Sequence, residues 1–110
     1  MNNNLLWNFS ALKKGPHLSV SPDIVDLNAG ISSASVFLSS NSQWEVYDTP
    51  AWLRVTPLSG TGNTTLSLSM FLYSSDPKLG TVNIRLVNNP MITASIYVSW
   101  IPYGTIKKLL

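Results

Sequence analysis

From Thr64 onward the chain alternates, with Leu66, Leu68, Met70 and Leu72 on one side of the backbone and Ser67 and Ser69 on the other. That two-residue period predicts a strand with one face buried. It returns in Val82, Ile84 and Leu86 against Thr81, Asn83 and Arg85, and again in Ile92, Ala94, Ile96 and Val98 against Thr93, Ser95 and Tyr97. Asn88-Asn89-Pro90 separates these two runs as a turn, and Ser74 to Leu79 (SSDPKL) reads as a loop before the first of them.

The N-terminal half has shorter runs. His17 to Ser21 and Ile24 to Asn28 predict a strand broken at Ser21-Pro22-Asp23, because proline donates nothing to a ladder and belongs at an edge or where a strand changes sheets. Ala34 to Ser39 predicts a second strand, Asn41-Ser42 a turn, and Gln43 to Asp48 a third strand with Trp44 and Val46 on one face. Trp52 to Thr56 forms a short fourth, and Pro57 to Asn63 (PLSGTGN), dense in turn formers, reads as a loop.

About seven short strands, regularly spaced turns and no helical period predict an all-β fold, an immunoglobulin-like antiparallel β-sandwich. Nothing in the pattern suggests a parallel sheet. The domain is expected to span 17–100. Residues 1–16 form an N-terminal extension, read as an edge strand or a docking arm, and 101–110 a C-terminal extension.

Composition narrows the function. A chain of 110 residues buries roughly 60 to 70% of its unfolded surface, and with no cysteine it must fold without disulfides or thiolate metal sites. Lys+Arg at 7 against Asp+Glu at 5 is too small an excess for a nucleic-acid partner, which rewards clustered phosphate neutralisation. Charged residues make up 11% of the chain, against about 25% in ordinary soluble domains. Few charged gatekeepers guard the sheet edges, so some covering of those edges is expected. No apolar run is long enough to cross a bilayer, and no membrane partner is expected. Lys13 and Lys14 follow the N-terminal apolar patch instead of preceding it, unlike a secretion signal.

Several short motifs then carry a resemblance. Leu18 to Pro22 (LSVSP), Asn41-x-x-Trp44, Trp52-Leu53, Ser59 to Asn63 (SGTGN) followed by alternating leucine, and Gly80-Thr81-Val82 occur in an order and spacing similar to a BACON domain. That resemblance covers about Leu18 to Ser99. It implies an immunoglobulin-like module of the kind found in secreted or surface enzymes of gut bacteria, with a proposed carbohydrate association, and in proteins of phages that infect them. The chain departs from the family in carrying Ser99 and Trp100 where a glutamine is common.

Catalytic and metal chemistry finds little footing. His17, Ser19 and Asp23 share one broken strand and are not expected to converge into a triad. Glu45 is the sole glutamate, so no paired carboxylates of a glycosidase are expected. Asp23, Asp26, Asp48 and Asp76 read as turn or cap residues, too few for a hard-cation site. No enzyme activity, cofactor or metal is expected. Asn8-Phe9-Ser10 and Asn63-Thr64-Thr65 match the glycosylation pattern by accident of composition.

The aromatic residues pose the remaining choice. Trp44 shares a face with Val46 and is expected in the core, whereas Trp52 caps one end of it. On the opposite parity lie Phe37, Tyr47, Phe71, Tyr73 and Tyr97, which would form an outer patch if neighbouring strands bring them together. Tyr47, Trp52, Tyr73 and Tyr97 are the candidate glycan or surface contacts. Leu5, Leu6, Trp7 and Phe9 before the domain, and Ile106, Leu109 and Leu110 after it, are candidate partner-docking residues. The expectation is a structural module in a large assembly, a virion or capsid-decorating protein. The alternative is a carbohydrate-binding module, extracellular or on a bacterial surface.

Overall fold

A computed structural model describes residues 15–71 and 74–102 of the protein. They form nine strands and no helix: β1 Leu18–Ser21, β2 Ile24–Asn28, β3 Ser33–Ser40, β4 Gln43–Asp48, β5 Leu53–Thr56, β6 Ser59–Thr61, β7 Thr64–Met70, β8 Lys78–Leu86 and β9 Thr93–Ile101. Two sheets face each other, one ordered β1-β3-β7-β5 and the other β2-β9-β8-β4-β6. The immunoglobulin-like sandwich expected from the alternation is the observed fold.

The core is the sum of the inward parities. Val36 and Leu38 of β3, Leu66 and Leu68 of β7, Leu53 and Val55 of β5 meet Val25, Leu27, Trp44, Val82, Ile84, Leu86, Ile96, Val98 and Trp100 from the facing sheet. Each branched aliphatic of this size stabilises the fold by about 1.5–3 kcal/mol through removal from water. Valine, isoleucine and tryptophan outnumber leucine in this core, since β-branched and aromatic side chains pack well on a pleated surface.

Both lateral sides of the sandwich are built alike. The first strand runs through β1 beside β3, then changes sheets at Ser21-Pro22 and continues as β2 beside β9. The amide of Tyr97 donates to the carbonyl of Asp23 at 2.8 Å across this crossing. On the other side β5 lies beside β7, and after Thr56-Pro57 the chain crosses to β6 beside β4. The crossing there is tied by the Val46 amide donating to the Leu58 carbonyl at 2.8 Å. Of the two places expected for Pro22, an edge or a switch between sheets, the switch is observed, and Pro57 repeats it.

Three sequence expectations need correction. β2 and β9 pair in parallel, because the switch carries the strand to the other sheet without reversing its direction. Ser59 to Thr61, read within a loop, is the edge strand β6, for a reason given by Trp44 below. β8 begins at Lys78, inside the predicted Ser74–Leu79 loop, which brings Leu79 into the sheet.

The chain enters and leaves at opposite ends. Asn41, in the turn between β3 and β4, takes the His17 amide on Oδ1 at 3.0 Å and donates Nδ2 to the Gly15 carbonyl at 2.9 Å. β9 runs from beside that end, where Thr93 pairs with Arg85, to the far end, where Trp100 pairs with Lys78.

Candidate binding surface

The motif residues come together as packing devices. Trp44 is 0% exposed, and a side chain added at Gly60 would place its Cβ 2.8 Å from Trp44 Cζ2. Glycine therefore lets the backbone of β6 lie across the indole, with Trp44 and Gly60 in register. The indole Nε1 donates to the Gly62 carbonyl at 3.0 Å, and Gly62 holds φ at 81°, a left-handed conformation that glycine adopts without steric cost. Asn63 Oδ1 then accepts the Ser40 amide at 2.9 Å. The SGTGN stretch is thus a seat for Trp44, which is why part of it pairs as a strand.

The second tryptophan is arranged in the same way at the other end. A Cβ on Gly80 would fall on Pro50 Cγ and lie 3.0 Å from Trp52 Cζ2, so Pro50 and Trp52 close over the backbone of β8. Trp52 is half-buried and packs against the core, in the capping position expected for it. Trp100, at the departure from the family pattern, is buried and donates Nε1 to the Ser74 carbonyl at 2.9 Å.

The outward aromatics among the described residues are divided between two faces instead of forming one patch. Phe37 stands on the four-stranded sheet among hydroxyls, with Ser21 and Thr65 beside it in register. Phe71, beyond β7, lies under the guanidinium of Arg54 at 4.6 Å. Tyr47 and Tyr97 both belong to the five-stranded sheet, but β8 separates their strands.

Around Tyr47 the face is polar and internally bonded. A bulge between Val46 and Asp48 sets Asp48 opposite Asn83, where Asn83 Nδ2 donates to Asp48 Oδ2 at 3.1 Å and Ser95 donates to Asn83 Oδ1 at 2.7 Å. Arg85 donates Nε to Glu45 Oε2 at 2.8 Å and lies 4.5 Å from the centre of the Tyr47 ring. One face of that ring is therefore already occupied.

Around Tyr97 the face is apolar and open. Ile24, Tyr97 and Thr81 form one row across β2, β9 and β8, and Asp26, Ser99 and Leu79 form the next. Exposure is 64% for Ile24, 86% for Leu79 and 56% for Tyr97, and together with their polar neighbours they line a shallow hollow of about 400 Å³. Ser99 donates to Asp26 Oδ1 at 2.7 Å, so Asp26 is a strand residue and not the turn residue expected. Sequence reasoning named Tyr97 here but missed Ile24, Leu79, Asp26, Ser99 and Thr81. Their strand parity was the available signal, whereas their adjacency depends on sheet order.

The other candidates stand apart. His17 Nε2 is 3.5 Å from Ser39 Oγ, while Asp23 lies beyond the sheet switch with its carbonyl on Tyr97, so His17, Ser19 and Asp23 do not converge. Among the described residues no cluster of three His, Asp or Glu side chains could hold a metal ion. Leu5, Leu6, Trp7, Phe9, Tyr73, Ile106, Leu109 and Leu110 lie outside the described residues.

Comparison with solved structures places this architecture among immunoglobulin-like and PapD-like domains. A Bacteroides ovatus GH5 xyloglucanase in complex with a XXXG heptasaccharide is similar over 81% of this chain, with TM-score 0.67 and 15% identity. The periplasmic chaperone SfaE gives 0.61 and 17% over 79%, and a PapD-like domain of human CEP192 gives 0.59 and 11% over 81%. This chain covers 20% of the xyloglucanase, 58% of the chaperone and 87% of the CEP192 domain. Identities this low speak for a shared fold alone. No curated protein sequence matches the chain. The family model described as the viral BACON domain matches residues 17–96, most of the sequence, and the chain belongs to that family.

Proposed function

We propose that this BACON domain is a non-catalytic structural module of a virus particle, a virion structural or capsid-decorating protein held in a large assembly by its apolar terminal segments. The observation that carries the reading is the use made of the motif residues: Trp44 and Trp52 are spent on packing, so what marks the sequence serves rigidity and not chemistry. The viral description of the family supports the particle. Entry and exit at opposite ends of the sandwich let two segments grip separate points of a surface.

Replacing Leu5, Leu6, Trp7 and Phe9 together by serine is expected to release the protein from purified particles while leaving its melting curve unchanged. Co-sedimentation followed by mass spectrometry reads the release. Continued co-sedimentation of this variant would overturn docking through the N-terminal segment.

A carbohydrate-binding role is a second reading, favoured by the exposed Tyr97 ring beside the Asp26 and Ser99 oxygens, since sugar sites combine an aromatic face with a few polar groups. The similar xyloglucanase, solved with an oligosaccharide, supports the choice of ligand to try. On this reading Tyr97→Ala weakens binding of neutral oligosaccharides in calorimetric titration by roughly tenfold, about 1.4 kcal/mol. Absence of heat from the intact protein at millimolar sugar would sink it.

A further inference from the structure

We infer that the apolar hollow around Tyr97 is the seat for residues 103–110 of a second copy of this chain. The inference rests on the reading that the terminal segments dock, but not on the identity of any particle.

Three features point to this occupant. First, the hollow and the segment match in chemistry. Ile24, Leu79 and Tyr97 offer exposed apolar surface, and the segment brings Ile106, Leu109 and Leu110. Asp26 gives the hollow its negative charge and has no cationic partner among the described residues, while the segment carries Lys107 and Lys108 and no acid.

Second, the strand that lines the hollow is the one that leads into the segment. Tyr97 and Ser99 stand on β9, which ends at Ile101, two residues before the segment begins. Two copies related by a twofold axis can then each lay a segment on the other, an exchange that closes at a dimer. Third, direction favours exchange over self-docking. β9 runs away from Tyr97 as it leaves the sheet, and eight further residues reach at most about 26–29 Å, enough to cross to a neighbour without first turning back.

Sedimentation velocity of the purified full chain over a wide concentration range tests the inference. A reversible dimer is expected, weakened roughly tenfold or more by Leu79→Asp or by Leu109→Asp, each removing one apolar anchor. Asp26→Lys should weaken it as well, and adding Lys107→Asp with Lys108→Asp should restore it. Circular dichroism melts should stay unchanged for Leu79→Asp and Asp26→Lys, whose side chains are exposed. A chain that is monomeric throughout, or a dimer indifferent to Leu79→Asp, overturns the proposal. So does a monomer that binds oligosaccharide through Tyr97. Particle association that survives Leu79→Asp would leave the assembly reading standing while the copy-to-copy contact fails.

Discussion

Trp44→Ala is expected to remove a large part of the protein's stability. The indole is wholly buried between the sheets, with the backbone of β6 across it and its Nε1 on the Gly62 carbonyl. Truncating a buried tryptophan costs about 3–5 kcal/mol in transfer and cavity energy, and losing the indole hydrogen bond adds about 1 kcal/mol. A domain of this size has on the order of 5–15 kcal/mol in total. The edge strand β6 is also held through this contact, so a chain that survives should lose its pairing with β4 first. Urea denaturation followed by circular dichroism measures the loss. Trp44→Phe, which retains most of the volume but no N–H, should lose about 1–2 kcal/mol. An alanine variant unfolding at nearly the same urea midpoint as the parent would show that the indole is not the keystone described here.

Gly80→Val should destabilise the other end of the sandwich by overpacking. Its first side-chain carbon falls on the Pro50 ring and lies 3.0 Å from Trp52, and neither group can step aside like a flexible chain end. β8 cannot retreat, because Gly80 pairs with Val98 inside a ladder that continues along both strands. Overpacking of this kind costs about 1–3 kcal/mol. Pro50→Ala in the same chain should recover part of the loss, a non-additivity expected only for groups in contact. Equal penalties with and without Pro50 would mean that the strain lies elsewhere.

Much of the architecture was legible in the alternation. The inward residues of β7, β8 and β9 could be read directly, Trp44 was assigned to the core by its parity with Val46, and Pro22 was placed at an edge or a change of sheets because it cannot donate to a ladder. What stayed hidden depends on neighbours far along the chain. Ser59 to Thr61 is dense in turn formers, and only the need for a bare backbone over Trp44 makes it a strand. Leu79 sat behind a Ser-Ser-Asp-Pro stretch that hides the true start of β8. The Tyr97 hollow joins the β8–β9 hairpin to β2, which is distant in sequence, and strand order is not written in any local period. Tyr47 and Tyr97 share a face by parity, but the Arg85 guanidinium lies over one side of the Tyr47 ring and beside the bulge, while Tyr97 borders the open hollow.

The two proline crossings have a consequence for life among many copies. Because each lateral strand abandons one sheet for the other midway, no lateral strand among the described residues offers more than five consecutive residues to a would-be partner strand. A neighbour that began to zip onto such a side would run out of template almost at once, and fibril growth would stall there. Protection therefore comes from the path of the backbone instead of from electrostatic repulsion. A surface with few charges can then be crowded without like-charge repulsion to push the copies apart and without the strand-to-strand fusion that repulsion normally prevents.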